Sequence, residues 1–241
     1  MAADPVTAHK GPIVDGAFPA PLDEAARAQS WAIAWSTLGC DAPVGLHQEL
    51  EAAWSEPHRR YHGARHLGEC LALWTRWQAQ AQASSQRPAE VALALWFHDA
   101  VHDPLASGNE INSAVWAARS LVQAGLPSAT AQRVCDLVLA TRHDMGPGTG
   151  YDPQGQGADA QLLVDIDLAI LGSPPERFEA YDQDVRKEYA AVPGFRYRRQ
   201  RAHVLQGFLD RPRLYQGAPA VALLEAQARI NLAAAISRLA Q

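Results

Sequence analysis

Cysteine is scarce in this 241-residue chain: three residues, Cys40, Cys70 and Cys135, with no CxxC pair. That excludes a disulfide framework and argues against a thiolate zinc site. The three are expected to be small buried hydrophobes in a reducing compartment. Basic excess is missing as well. A net charge of −5 supplies no broad Lys/Arg face for a nucleic-acid polymer, whereas a small phosphorylated substrate needs only a locally basic pocket. No run approaches the ~20 apolar residues of a membrane helix. The opening MAADPVTAHKGPIVDG lacks the cationic start and apolar block of a secretory signal, so a cytoplasmic protein is expected. Strand signals are weak, and no tandem repeat or interdomain linker stands out.

What remains is a globular composition, 48% hydrophobic and 20% charged, arranged in helical periods. The expected fold class is all-α: a flexible tail over 1–20, then one helical domain over 21–241. Asp23 opens a first helix as N-cap and Gly39 closes it. Further helices are expected at Pro43–Ser55, Ala64–Ala83, Pro88–His102, Asn109–Ala124 and Ser128–His143. After a glycine-rich loop, Met145–Gly157, come Asp159–Leu171, Pro175–Ala191, Tyr197–Leu209 and Ala220–Ala240. The seven tryptophans sit mostly at helical spacing among Ala and Leu, which reads as core rather than as a base-stacking platform.

Several histidines stand beside carboxylates. The doublet His98-Asp99 lies in an apolar helix, where burial is expensive unless something compensates it; a divalent cation would do so. As a dipeptide it is common. His62 and His66 are four apart and would share a helix face, although Gly63 could leave His62 just before the helix. The run LVDIDLAILG carries Asp165 and Asp167. A cap role suits Asp165, while Asp167 is harder to explain without a cation or arginine partner. His143 follows Arg142 at a helix end, a position that suits histidine on electrostatic grounds alone. Asn109-Glu110 reads equally as a helix start, with Asn109 the N-cap, or as part of a site mouth.

Taken in order, YHGARH, LALWFHDAVHDP, NEINSA, LVLATRHD, DIDLAILG, VRKEY and ARINL resemble one bacterial branch of the HD-domain superfamily of metal-dependent phosphohydrolases. The likeness runs from about Tyr61 to Leu232. That branch often has Asn in place of Gly63 and Tyr in place of His102, and the glycine-rich loop after His143 is peculiar to this chain. The resemblance implies a helical bundle of the HD type with His66, His98, Asp99 and Asp167 as ligands of a divalent metal (Mn, Fe, Co, Ni, Zn or Mg). It also implies cleavage of a small phosphoester, such as a nucleotide, by metal-bound water. Asp99 or Glu110 would act as base. His62, Arg65, Asn109, Arg142, His143, Arg186 and Lys187 are candidates for substrate contact or for orienting ligands, Arg being suited to phosphate. Two alternatives stand beside this reading: a di-iron oxygenase on the same scaffold, and a non-catalytic metal- or nucleotide-binding regulatory module. A homodimer is compatible with the sequence.

Overall fold

The computed structural model describes residues 18–79, 85–142 and 157–241, and among these it is helical throughout, with no strand. The helices are α1 (Glu24–Thr37), α2 (Leu46–Trp54), α3 (Ala64–Ala79), α4 (Pro88–Phe97), α5 (Asn109–Gln123), α6 (Ser128–Leu139) and α7 (Ala158–Asp167). A 3-10 turn over Leu168–Gly172 leads to α8 (Pro175–Glu188), α9 (Gly194–Leu209) and α10 (Ala218–Leu239). None of the described helices is long and apolar enough to cross a membrane. The part of the tail and glycine-rich loop at 1–17 and 143–156, His143 included, and the end of the expected helix at 80–83 lie outside the described residues.

Helix α4 is apolar on every side, and such a helix is stable only when enclosed. Every residue from Ala89 to Phe97 is buried, with α1, α3, α5, α6 and α7 packed around it. Trp54 ties α2 to this central rod through its indole N–H, which donates to the Trp96 carbonyl at 2.9 Å. Six of the seven tryptophans are buried and Trp116 packs against the same core, as expected from their spacing. Phe18, within the stretch 1–20 expected to be a tail, packs on the core.

Close approach elsewhere depends on glycine. At Gly68 a Cβ would sit 2.7 Å from the Leu22 carbonyl oxygen; the Leu22 amide in turn donates to the Gly68 carbonyl at 3.0 Å. At Gly172 a Cβ would meet Leu224 of α10 at 2.6 Å. Asn231, in the ARINL motif, clamps the same junction by donating to the Leu171 and Ser173 carbonyls.

Several boundaries differ from expectation, among them the starts of α2 and α9 and the ends of α6 and α8; three more bear on the site. The helix expected to run to His102 stops at Phe97, because Arg59 draws the Asp99 and Ala100 carbonyls out of the helical ladder. Asn109 is not the N-cap of α5. Gly108 holds that position in the left-handed region (φ 90°), and the Asn109 side chain instead bridges the Asp103 backbone. The helix expected over Asp159–Leu171 tightens into the 3-10 turn after Asp167.

Candidate metal centre

The site grows from three chain reversals. Gly63 ends the turn before α3, so that His66 occupies the first turn and faces inward, while His62 stays outside the helix. The stop after Phe97 delivers His98 and Asp99 at the end of α4. Asp167 is the last residue of α7. These three points meet. His66 Nε2 lies 3.1 Å from His98 Nε2 and 3.1 Å from Asp167 Oδ1. Asp99 Oδ2 is 3.5 Å from His98 Nε2 and 4.0 Å from His66 Nε2.

The surroundings fix how these groups present themselves. His98 Nδ1 lies 2.8 Å from the Leu95 carbonyl, which can only accept. The proton therefore sits on Nδ1 in the neutral ring, and the Nε2 lone pair is aimed into the cluster, the orientation a metal-binding imidazole needs. Trp54 covers the His98 ring, centroid to centroid at 5.3 Å. The two imidazoles are sealed, with side chains 2% and 0% exposed, whereas Asp99 and Asp167 are 16% and 13% exposed. Access from solvent is therefore over the carboxylates.

Burial alone would lower the His98 pKa, but Asp99 and Asp167 outweigh it and lift it to about 9. Burial pushes Asp99 up, yet His98, His62 and His66 together hold it below the ordinary carboxylate value. Two imidazole nitrogens and the Asp167 carboxylate, with Asp99 Oδ2 close to both rings, form a donor set suited to Mn, Fe, Co, Ni or Zn. Cys70, one helical turn beyond His66, belongs to the same buried group, with Sγ 3.7 Å from His66 Nδ1. Burial and the nearby Asp167, Glu69 and Asp99 raise its pKa well above the ordinary thiol value, so without an ion it stays a thiol; a cation bound beside it would favour the thiolate.

The other residues singled out by sequence fall elsewhere. His62 adjoins the cluster, its ring 6.2 Å from that of His66. Arg65 is largely exposed and pairs with Glu69 at 3.0 Å. Glu69 is itself held by Arg177 through two contacts of 2.7 and 2.6 Å. The Arg186 guanidinium donates to the Tyr189 and Val192 carbonyls and lies over the Tyr197 ring. Lys187 pairs with Asp184 at the surface. Arg142 follows α6, its buried Nε without a partner among the described residues. Glu110 is half-buried in the first turn of α5, close enough to raise the Tyr189 pKa, though less than burial and Glu188 do. Asp165 is not an N-terminal cap: it lies within α7, and its carboxylate accepts from the Gln216 and Gly217 amides ahead of α10.

Two residues that build the site were not anticipated. Arg59, 7% exposed, donates to the carbonyls of His62, Asp99 and Ala100, locking the doublet to the turn before α3. Glu188, with a fully buried side chain, accepts from the amides of Arg60, Tyr61 and His62 and from His62 Nδ1.

No family model, curated protein or solved structure matches the chain. The site's own chemistry must carry the reading.

One consequence is a pH dependence. A His98 pKa near 9 in the folded chain exceeds the unfolded value of about 6.5, so its stabilising contribution is complete below about pH 6.5 and is lost as pH rises through 9. Chelator-treated protein is therefore expected to lose thermal stability between pH 6.5 and 9. Metal affinity should rise over the same interval, because the ion must displace that proton. Thermal melts and metal titrations at fixed ionic strength check both; a metal affinity that does not change with pH would contradict the assignment.

Proposed function

We propose that the chain is an HD-type metal-dependent phosphohydrolase that cleaves a small phosphoester, with His66, His98, Asp99 and Asp167 holding a divalent cation. The observation that carries the reading is the meeting of His66, His98 and Asp167, whose ligand atoms lie 3.1–3.5 Å apart, with Asp99 Oδ2 3.5 and 4.0 Å from the two imidazoles. The order and extent of the HD-like motifs support it. A cation bound there would lower the pKa of adjacent water and polarise a phosphoryl oxygen.

The protein's own groups divide the remaining work. The Leu95 carbonyl fixes the His98 ring, and Arg59 fixes the backbone on which Asp99 stands. Asp99 remains ionised and partly exposed, as a base accepting a proton from attacking water must be. Among the described residues Arg65, Arg186 and Lys187 are engaged in other pairs, and we assign contact with substrate phosphate to Arg142.

The test is hydrolysis of a panel of phosphomonoesters and nucleotides by full-length protein loaded in turn with Mn, Fe, Co, Ni, Zn or Mg. Turnover abolished by chelation and restored by one of these ions is the expected result. Metal-loaded protein that hydrolyses none of the panel would overturn the hydrolase reading.

A further inference from the structure

A second group of ligand-type side chains lies beside the first and is not used by it: His62, His102 and Glu188, whose ligand atoms all fall within 4.8 Å of one another. The two oxygens of Glu188 have different surroundings. Oε1 takes three backbone amides, those of Arg60, Tyr61 and His62, at 2.8–2.9 Å. Oε2 faces two imidazoles, with His62 Nδ1 at 2.7 Å and His102 Nε2 at 3.6 Å. The first oxygen anchors the loop before α3. That anchoring leaves the second oxygen to the two imidazoles.

His102 is the unexplained member. Its side chain is 8% exposed, and its Nε2 is buried with no hydrogen-bond partner among the described residues. At 3.6 Å, Glu188 Oε2 is out of hydrogen-bond reach. If Nε2 carries the proton, it meets Glu188 Oε2 only across a long ion-pair contact of 3.6 Å; if it does not, a lone pair faces a carboxylate and lacks a donor. The residue is nevertheless held firmly. His58 Nε2 meets its carbonyl at 2.8 Å, and Ser113 Oγ accepts from the amide of the preceding Val101. The His62 and His102 rings stack 4.2 Å apart. Such rigid support around an unsatisfied nitrogen is typical of a ligand held by its outer shell.

We propose that His62, His102 and Glu188 form a second cation site, distinct from the cluster at the doublet, that takes a transition-metal dication. Ligand atoms around a tetrahedral ion are about 3.3 Å apart for bonds of 2.0–2.1 Å, and the separations of 2.7 and 3.6 Å from Glu188 Oε2 bracket that value. Two nitrogens and one oxygen favour Zn, Fe, Co or Mn over Ca or Mg. One carboxylate offsets half of the ion's charge. His62, with its side chain 25% exposed, leaves room for solvent to complete the coordination. The assignment is independent of the reaction proposed above.

The test counts ions. Chelator-treated full-length protein is dialysed against Zn(II), the bound metal is measured by elemental analysis, and the count is repeated with Co(II) followed by absorption. The wild type is expected to bind two ions, and His102→Phe and Asp99→Ala one each. His102→Asn is a second variant should the bulkier ring disturb packing, and circular dichroism verifies the helix content of each. A count unchanged by replacing His102 overturns the proposal. A single wild-type ion lost with Asp99→Ala but kept in the His102 variants overturns it while leaving the first site intact. The converse pattern supports the second site and removes the first.

Discussion

Asp99→Ala is expected to remove the ion at the doublet and, with it, hydrolytic activity. Losing only an outer-shell partner of a metal ligand costs about 10–100-fold in affinity or rate, so losing a ligand that also serves as base should exceed a hundredfold. Folding should be little affected. The Asp99 carboxylate is partly exposed and bonds no backbone amide in its surroundings, whereas its carbonyl, which the substitution keeps, is the atom Arg59 holds. The variant also has a spectroscopic consequence: without Asp99, the largest influence raising the His98 pKa disappears, so that imidazole should titrate below about 9 in chelator-treated protein. Metal analysis, a phosphoester assay and NMR titration of the histidines check the three consequences together. An Asp99→Ala protein with full metal content and undiminished turnover would remove the doublet from the site.

The four clustered residues His66, His98, Asp99 and Asp167 were legible because each is an anomaly in its own segment. His98, Asp99 and Asp167 are ionisable groups in apolar runs, and His66 shares its helix with Leu67 and Leu71. Such residues need a compensating partner, and their order along the chain suggested what it was. The all-helical class was equally legible from periodicity. Helix ends were less so, because the stop at Phe97 depends on a guanidinium 38 positions earlier in the chain, and no local propensity encodes that.

The residues supporting the site were harder to see. In VRKEY the cations Arg186 and Lys187 drew the eye towards phosphate, while the residue that reaches the site is Glu188, through contacts 126–128 positions away. One local signal pointed to it. Glu188 closes α8, where a negative charge opposes the helix dipole and needs an external reason to be there. Arg59, next to Arg60 in a polar turn, reads as an ordinary surface cation; only burial separates the two. Cys70 was expected to be a buried hydrophobe, and it is one, but the turn of helix between it and His66 also brings it against the metal ligands.

Arg59→Met is expected to cause a large loss of stability. The substitution keeps the aliphatic stem but removes the donors to the His62, Asp99 and Ala100 carbonyls at 3.0, 2.6 and 2.9 Å. Each buried carbonyl left without a donor costs about 1–3 kcal/mol, and water reaching the turn makes the sum less than additive. A total of about 3–5 kcal/mol is expected, comparable with breaking a buried charged interaction. For a chain of this size that lowers Tm by roughly 10 °C. Arg59→Lys should recover only part of it, since one ammonium cannot span three carbonyls as the planar fork does. The exposed end of the interaction, the Glu56 carboxylate at 2.9 Å, contributes little, so Glu56→Gln should leave Tm nearly unchanged. Because the same guanidinium joins the loop bearing His62 to the doublet, metal affinity should fall together with Tm. Thermal melts in chelator and in saturating metal separate the two effects: loosening of the doublet predicts a larger Tm deficit with metal present than without it. Equal deficits would make Arg59 a support of the fold alone.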